Sequence, residues 1–237
     1  GVLDAQSLMT ERFRLALSPV LAEAISKKAT EPDSPFQSEA CWNAIRKAYR
    51  AEVVRIAIYD LTAETPWSAM QTVAAALADA AGAAIECGID VARAELTHSR
   101  EFGVFEPHEV AATNFSVIAM GKCGARELNY ISDVDVIYVA GPANETLESH
   151  RAVEVGTKLA NRMMRAMDAT ASEPMLWQVD PNLRPEGKSG ALVRTLESHV
   201  AYYERWAESW EFQALLKARH LAGSRDLGEA YVAALNP

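Results

Sequence analysis

The 237-residue chain has three cysteines, Cys41, Cys87 and Cys123, all far apart. An odd count with no C-x-x-C pair and no Cys/His spacing argues against a disulfide framework and against zinc. The expectation is reduced thiols in a cytoplasmic protein. Positive charge is also scarce, with 23 Lys and Arg against 32 Asp and Glu and a net charge of −9. Duplex nucleic acid is bound chiefly by Lys and Arg neutralising phosphates, so it is not an expected partner. A local basic cluster can still hold one phosphorylated ligand. No uninterrupted apolar run approaches the ~18 residues of a membrane span, so no membrane partner is expected. The first residues, GVLDAQSLMTERFR, lack both a signal-peptide layout and an initiator Met. They suggest a piece of a longer protein. G-x-G-x-x-G is absent, and 187-GKS-189 would need Gly at 182 to make a P-loop, where Asn182 stands.

What is present is 49% hydrophobic and 23% charged, ordinary for a globular chain with a real core. Residues 1–37 read as a helical lead-in closed by the breaker cluster 31-EPDSPF-36. Residues 38–60 read as a helix with Tyr49, Val53, Ile56 and Asp60 on one face. Thr65-Pro66 fits an N-cap and first helical position, and the alanine-rich run to Leu96 continues the helix. The texture changes near Thr113. The runs 115-FSVIAM-120, 134-VDVIYVA-140 and 175-MLWQVD-180 read as strands, with a shorter one in 191-ALVRT-195. A helix with Ala152, Val155, Leu159, Met163 and Ala166 on its apolar face separates the second and third. From Leu196 a helix steps through Val200, Tyr203, Ala207, Trp210 and Ala214, with Trp206 and Trp210 read as core packing. A last helix spans 225–235 and stops at Asn236-Pro237. The expected fold class is α+β: a helical region over 1–110, a sheet core over 111–195 and a second helical region over 196–237.

The chemistry concentrates in 121-GKCGARELNYISDVDVIYV-139. In a strand, residues i and i+2 point to one face, so Asp133 and Asp135 lie together, roughly 7 Å apart at Cα. Two acids at the start of a hydrophobic strand repel each other unless a counter-ion intervenes. A hard cation with oxygen ligands is the natural one. Asp180 ends the third apolar run and offers a third carboxylate, as a two-metal phosphoryl-transfer site needs. Glycines in G-K-C-G, at a strand-to-helix turn, let backbone approach an anion. Arg184, Lys188 and Ser189 follow in a Gly/Pro-rich loop, and Arg and Lys can grip phosphate. The nearest histidines, His108 and His150, lie outside these motifs.

Together these blocks resemble the polymerase-β-type nucleotidyltransferase superfamily. The strings GKCGARELNYISDVDVIY, VDPNLRPEGKSGALVRT and YYERWAESWEFQALLKAR resemble the glutamine synthetase adenylyltransferase family more closely, over about residues 40–235. Cys123 and Ala125 depart from the Leu and Gly more usual there. The resemblance implies a polymerase-β-like sheet core flanked by helices, and Mg²⁺ or Mn²⁺ on Asp133, Asp135 and Asp180. It implies phosphate or nucleotide contacts from Gly121, Lys122, Gly124, Ser132, Arg184 and Lys188. It implies glutamine synthetase as protein substrate, a PII-type signal protein as regulator, and phosphate, ADP and ATP as small ligands. The family has an AMP-adding half and an AMP-removing half, and Glu127-Leu128-Asn129 resembles the removing half. The implied reaction is phosphorolysis of adenylyl-tyrosine to ADP. Two alternatives are the adenylylating direction and a catalytically silent module that binds nucleotide or signal protein.

Overall fold

The computed structural model describes residues 3–235. Three long helices come first: α1 (Gln6–Thr30), α2 (Ser38–Thr62) and α3 (Pro66–His98). α3 has the length and hydropathy of a membrane span, yet 78% of its most apolar window is buried within the fold. Its alanines are the reason. Small side chains let α1 and α2 approach it closely, and Ala78, Ala80, Ala81, Ala83 and Ala84 have no exposed surface.

The short α4 (Pro107–Ala111) leads into β1 (Thr113–Ala119), followed by the single turn α5 (Gly121–Gly124) and β2 (Val134–Pro142). α6 (Ser149–Asp168) crosses back to β3 (Val179–Asp180) and β4 (Val193–Arg194). Then come α7 (Leu196–Arg205), α8 (Ser209–Leu215), β5 (Arg219–Gly223) and α9 (Arg225–Leu235). The expected stop at Asn236-Pro237 lies outside the described residues.

The sheet order is β3-β2-β1-β5, with β4 also on β2. β1 is antiparallel to β2 and β5, whereas β3 and β4 run parallel to β2. Alternation along β1 and β2 splits the side chains between two cores. Phe115, Val117, Val136 and Tyr138 face the long helices and α6, in a cluster that reaches from Met9 to Ala222. Ile118, Ile137 and Val139 face the other way, with Tyr203, Leu215 and Tyr231 of α7, α8 and α9. The helical lead-in and the sheet thus share one core.

The α+β class is borne out, and several element readings are corrected. Residues 175–178 are not strand; only Val179–Asp180 pairs with β2. The helix from Leu196 breaks at Trp206 and restarts at Ser209, where Glu208 and Glu211 form a reciprocal cap. The break changes the helical phase. Trp206 and Trp210 are therefore 73% and 53% exposed rather than packed in the core. β5 was not anticipated and fills the free edge of β1.

α6 is locked onto α3 by a buried ion pair. Glu95 is completely buried and accepts from Arg162 Nε at 2.6 Å and a terminal nitrogen at 2.8 Å. The guanidinium also lies 3.9 Å from the Phe102 ring centroid. Truncation of Glu95 to Ala is expected to cost about 3–5 kcal/mol, because it strands a buried charge. Replacing the pair by Glu95→Leu with Arg162→Met is expected to cost less than that single change. Urea denaturation of the variants checks both.

Candidate active site

β2 starts with a valine between two acids. Val134 has no exposed surface and sits under the sheet, so Asp133 and Asp135 turn to the other side. Parallel pairing sets Val134 beside Val179 and Asp135 beside Asp180. One oxygen from each of Asp133, Asp135 and Asp180 lies within 4.8 Å of the others. Asp133 is exposed, and the other two are half-buried.

The pKa of Asp135 is raised above the usual carboxylate value. Burial is the main cause, and the charges of Asp133 and Asp180 add to it, while Lys122 pulls the other way. Among the described residues, the ion pairs of Lys and Arg all go to other acids. Asp180 Oδ1 accepts the Asn182 N–H at 2.8 Å, which fixes the orientation of its carboxylate. Ser132 Oγ makes a long contact of 3.5 Å to Asp133 Oδ1. Three convergent oxygen donors with no ion-pair partner among the described residues are a donor set that could hold a hard divalent cation.

The glycine turn backs this cluster. Gly121 adopts φ +52°, and a Cβ there would strike the Asp135 carboxylate. Glycine at 121 therefore serves both the turn and the acid. The Met120 N–H donates to the Asp135 carbonyl at 2.9 Å, tying turn to strand. Lys122 is exposed and, with Ser132, Asp133, Tyr130, Trp177 and Gln178, lines a cleft of about 510 Å³.

Two residues expected at a ligand are occupied by the fold itself. Gly124 is buried, and a Cβ there would collide with the Lys217 carbonyl. Arg184 is buried and donates to Pro181 O at 2.9 Å, Gly190 O at 3.2 Å and Lys188 O at 3.2 Å. Its guanidinium closes the 181–190 loop. Lys188 is exposed on that loop.

Sequence reasoning missed the supports of this site. Arg219 on β5 donates to Cys123 O at 3.1 Å and Gly124 O at 3.3 Å, capping the glycine turn. Arg126, in a left-handed conformation, pairs with Asp79. Tyr130 donates to Asp60 Oδ2 at 3.0 Å, so the loop carrying Glu127-Leu128-Asn129 is tethered to α2 and α3. Asp79 did leave a signal, as a lone acid inside the run 73-VAAALADAAGAAI-85. A larger cleft of about 930 Å³ lies between α1, α3, β5 and α9 and contains none of the three acids. Three of its four arginines are ion-paired, Arg14 with Glu86, Arg126 with Asp79 and Arg225 with Glu229, and the fourth, Arg219, is held by the Cys123 and Gly124 carbonyls.

Comparison with known proteins gives a consistent picture. Over 200 residues, 84% of its length, the chain is 54% identical to a bifunctional glutamine synthetase adenylyltransferase/adenylyl-removing enzyme from Leifsonia xyli. Proteins of the same name from Bifidobacterium longum and Mycobacterium bovis are 42% and 47% identical over 92% and 81% of the chain. The chain spans about a fifth of the length of these relatives, 20% for the first two and 17% for the third. The pattern of the family described as glutamate-ammonia ligase adenylyltransferase matches residues 5–234. On this match and these identities, the chain belongs to the glutamate-ammonia ligase adenylyltransferase family.

Proposed function

We propose that this chain removes AMP from an adenylylated tyrosine of glutamine synthetase by phosphorolysis. The observation that carries the reading is the convergence of Asp133, Asp135 and Asp180 within 4.8 Å beside the Gly121 turn. The relatives' names include both adenylyl transfer and adenylyl removal. The wording Glu127-Leu128-Asn129 supports the removing direction. A PII-type signal protein is the regulator that goes with this reading.

A phosphate oxygen attacks the phosphorus of the adenylyl group as the bond from phosphorus to the tyrosine oxygen breaks. ADP leaves, and the tyrosinate takes a proton from water. Phosphate is already nucleophilic at neutral pH, so no histidine base is needed. Asp133, Asp135 and Asp180 would hold Mg²⁺ or Mn²⁺, and the bound cation would supply charge neutralisation at the reacting phosphoryl oxygens. Lys122 and Ser132 line the adjoining cleft and would contact phosphate oxygens. Gly121 keeps that approach free of side-chain atoms. Lys188, exposed on the loop that follows Asp180, would contact the incoming phosphate or the nucleotide.

The direct test incubates the chain with adenylylated glutamine synthetase, phosphate and Mg²⁺ and measures ADP. Replacing Asp133 or Asp135 by Asn is expected to lower ADP release by at least about 10²–10³-fold, with an unchanged circular dichroism spectrum. Undiminished release by a folded variant contradicts the site. Activity seen only with ATP and unmodified glutamine synthetase, releasing pyrophosphate, contradicts the direction.

The same carboxylates should cost stability when no cation is bound. Asp135 holds its proton more tightly folded than unfolded, so its ionisation destabilises the fold as pH rises from near 3.8 through the raised value. Above that window the full penalty is present. Metal-free Asp135→Asn is therefore expected to melt a few degrees above the parent at pH 7, at about 2–4 °C per kcal/mol for a chain of this size. The gap is expected to narrow at pH 4. Adding Mg²⁺ is expected to raise the melting temperature of the parent alone, and melts with EDTA or Mg²⁺ check this.

A further inference from the structure

β3 has only two residues, yet it carries the third carboxylate. Its recorded ties to β2 are the Val134/Val179 and Asp135/Asp180 pairs and the Val134 N–H to Gln178 O bond of 3.0 Å. So short a ladder specifies its own register weakly. A slip of one residue would turn Asp180 to the opposite face of the sheet. Something outside the sheet must hold β3 in place.

The candidate is one stripe of α2. Glu39, Asn43, Arg46 and Arg50 step by four, three and four residues and lie on one helix face. That face meets the end of α6 and the irregular strap 169–175 that leads to β3. Glu39 accepts the Ser172 N–H at 2.8 Å. Asn43 accepts the Glu173 N–H at 3.0 Å and donates to Ser172 Oγ at 2.7 Å. Arg46 donates to four carbonyls: Ala166 at 3.0 Å, Ala169 at 2.8 Å, Glu173 at 2.8 Å and Arg165 at 3.4 Å. Arg50 reaches the Glu173 carboxylate at 3.2 Å and the Met175 carbonyl at 3.4 Å. Two residues beyond the strap, the Trp177 ring meets Tyr49 of the same helix edge-on, at 6.1 Å between centroids.

Arg46 is fully buried and has no carboxylate partner among the described residues. Its guanidinium satisfies carbonyls at the C-terminus of α6, where a cation is favoured by the helix dipole. The same group also grips the strap beyond. It thus fixes where α6 ends and where the strap begins its run to Asp180. We propose that Arg46, assisted by Asn43 and Arg50, is the positioning residue for Asp180. It sets the register of β3 so that the third carboxylate meets Asp133 and Asp135. This rests on the reading of those three acids as a cation site.

The test is a double-mutant cycle read by Mn²⁺ binding, with electron paramagnetic resonance counting free Mn²⁺. Arg46→Lys keeps a cation but loses the planar fork. It is expected to weaken Mn²⁺ binding about tenfold, as loss of a supporting group around a metal ligand does. In an Asp180→Asn background the same change is expected to cost less than about twofold, because the group it acts through is gone. Hydrogen exchange at residues 176–180 is expected to speed up in Arg46→Lys. If Arg46→Lys does not fold, the combined Asn43→Ala and Arg50→Ala variant serves in the same cycle, with a loss of about threefold to tenfold expected. Equal losses with and without Asp180, or no loss in a folded variant, overturn the positioning role. Asp180→Asn that binds Mn²⁺ as tightly as the parent overturns the cation-site reading itself, and the positioning role with it.

Discussion

The site depends on a ladder of two residues, in which Val134 and Asp135 lie parallel to Val179 and Asp180. The Val134/Val179 pair faces the large core and the Asp135/Asp180 pair faces the opening. Hydrophobic burial of Val134 and Val179 therefore aims both acids without any polar contact between them. The cost is that Asp133, Asp135 and Asp180 are brought together as like charges. The fold tolerates this because its stability comes from elsewhere, in the alanine-lined packing of α3 and the buried Glu95–Arg162 pair.

Around that ladder the molecule is a set of tethers. β1 and the glycine turn hold one side of Asp135, with Arg219 capping the turn from β5. The α2 stripe holds the strap before β3, and the Arg184 loop closes behind Asp180. These tethers end largely on backbone groups, carbonyls for Arg46, Arg184 and Arg219 and N–H groups for Glu39 and Asn43, so the side chains fix main-chain paths that have no regular secondary structure of their own. The long helices thus belong to the same physical unit as the acids.

Much of this was legible in the sequence where one local rule dominates. Short apolar and β-branched runs revealed β1 and β2, helical periodicity revealed α2 and α6, the Thr65-Pro66 start and alanine content revealed α3, and the Asp-x-Asp spacing placed two acids on one face. The unread parts are those set by distant partners. β5, RHLAG, has too few β-formers and opens with two basic residues, and only the free edge of β1 makes it a strand. The run 175-MLWQVD-180 looks like a six-residue strand, but Arg46 and Arg50 draw its approach into a strap instead. Gly124 and Arg184 read as phosphate binders because their chemistry suits it, while their packing partners, Lys217 O and the 181–190 loop, lie out of reach of pattern reading. Trp206 and Trp210 were misplaced because one capping box shifts the helical phase.

The central claim is that Asp133, Asp135 and Asp180 form a divalent-cation site. An anomalous diffraction map from crystals grown with Mn²⁺ tests it most directly. The account expects a peak between the three carboxylates, at about 2.0–2.1 Å from their oxygens if the ion sits as Mg²⁺ would. A map with no peak there, and with the Lys122 ammonium folded among the carboxylates as their counter-ion, would contradict it.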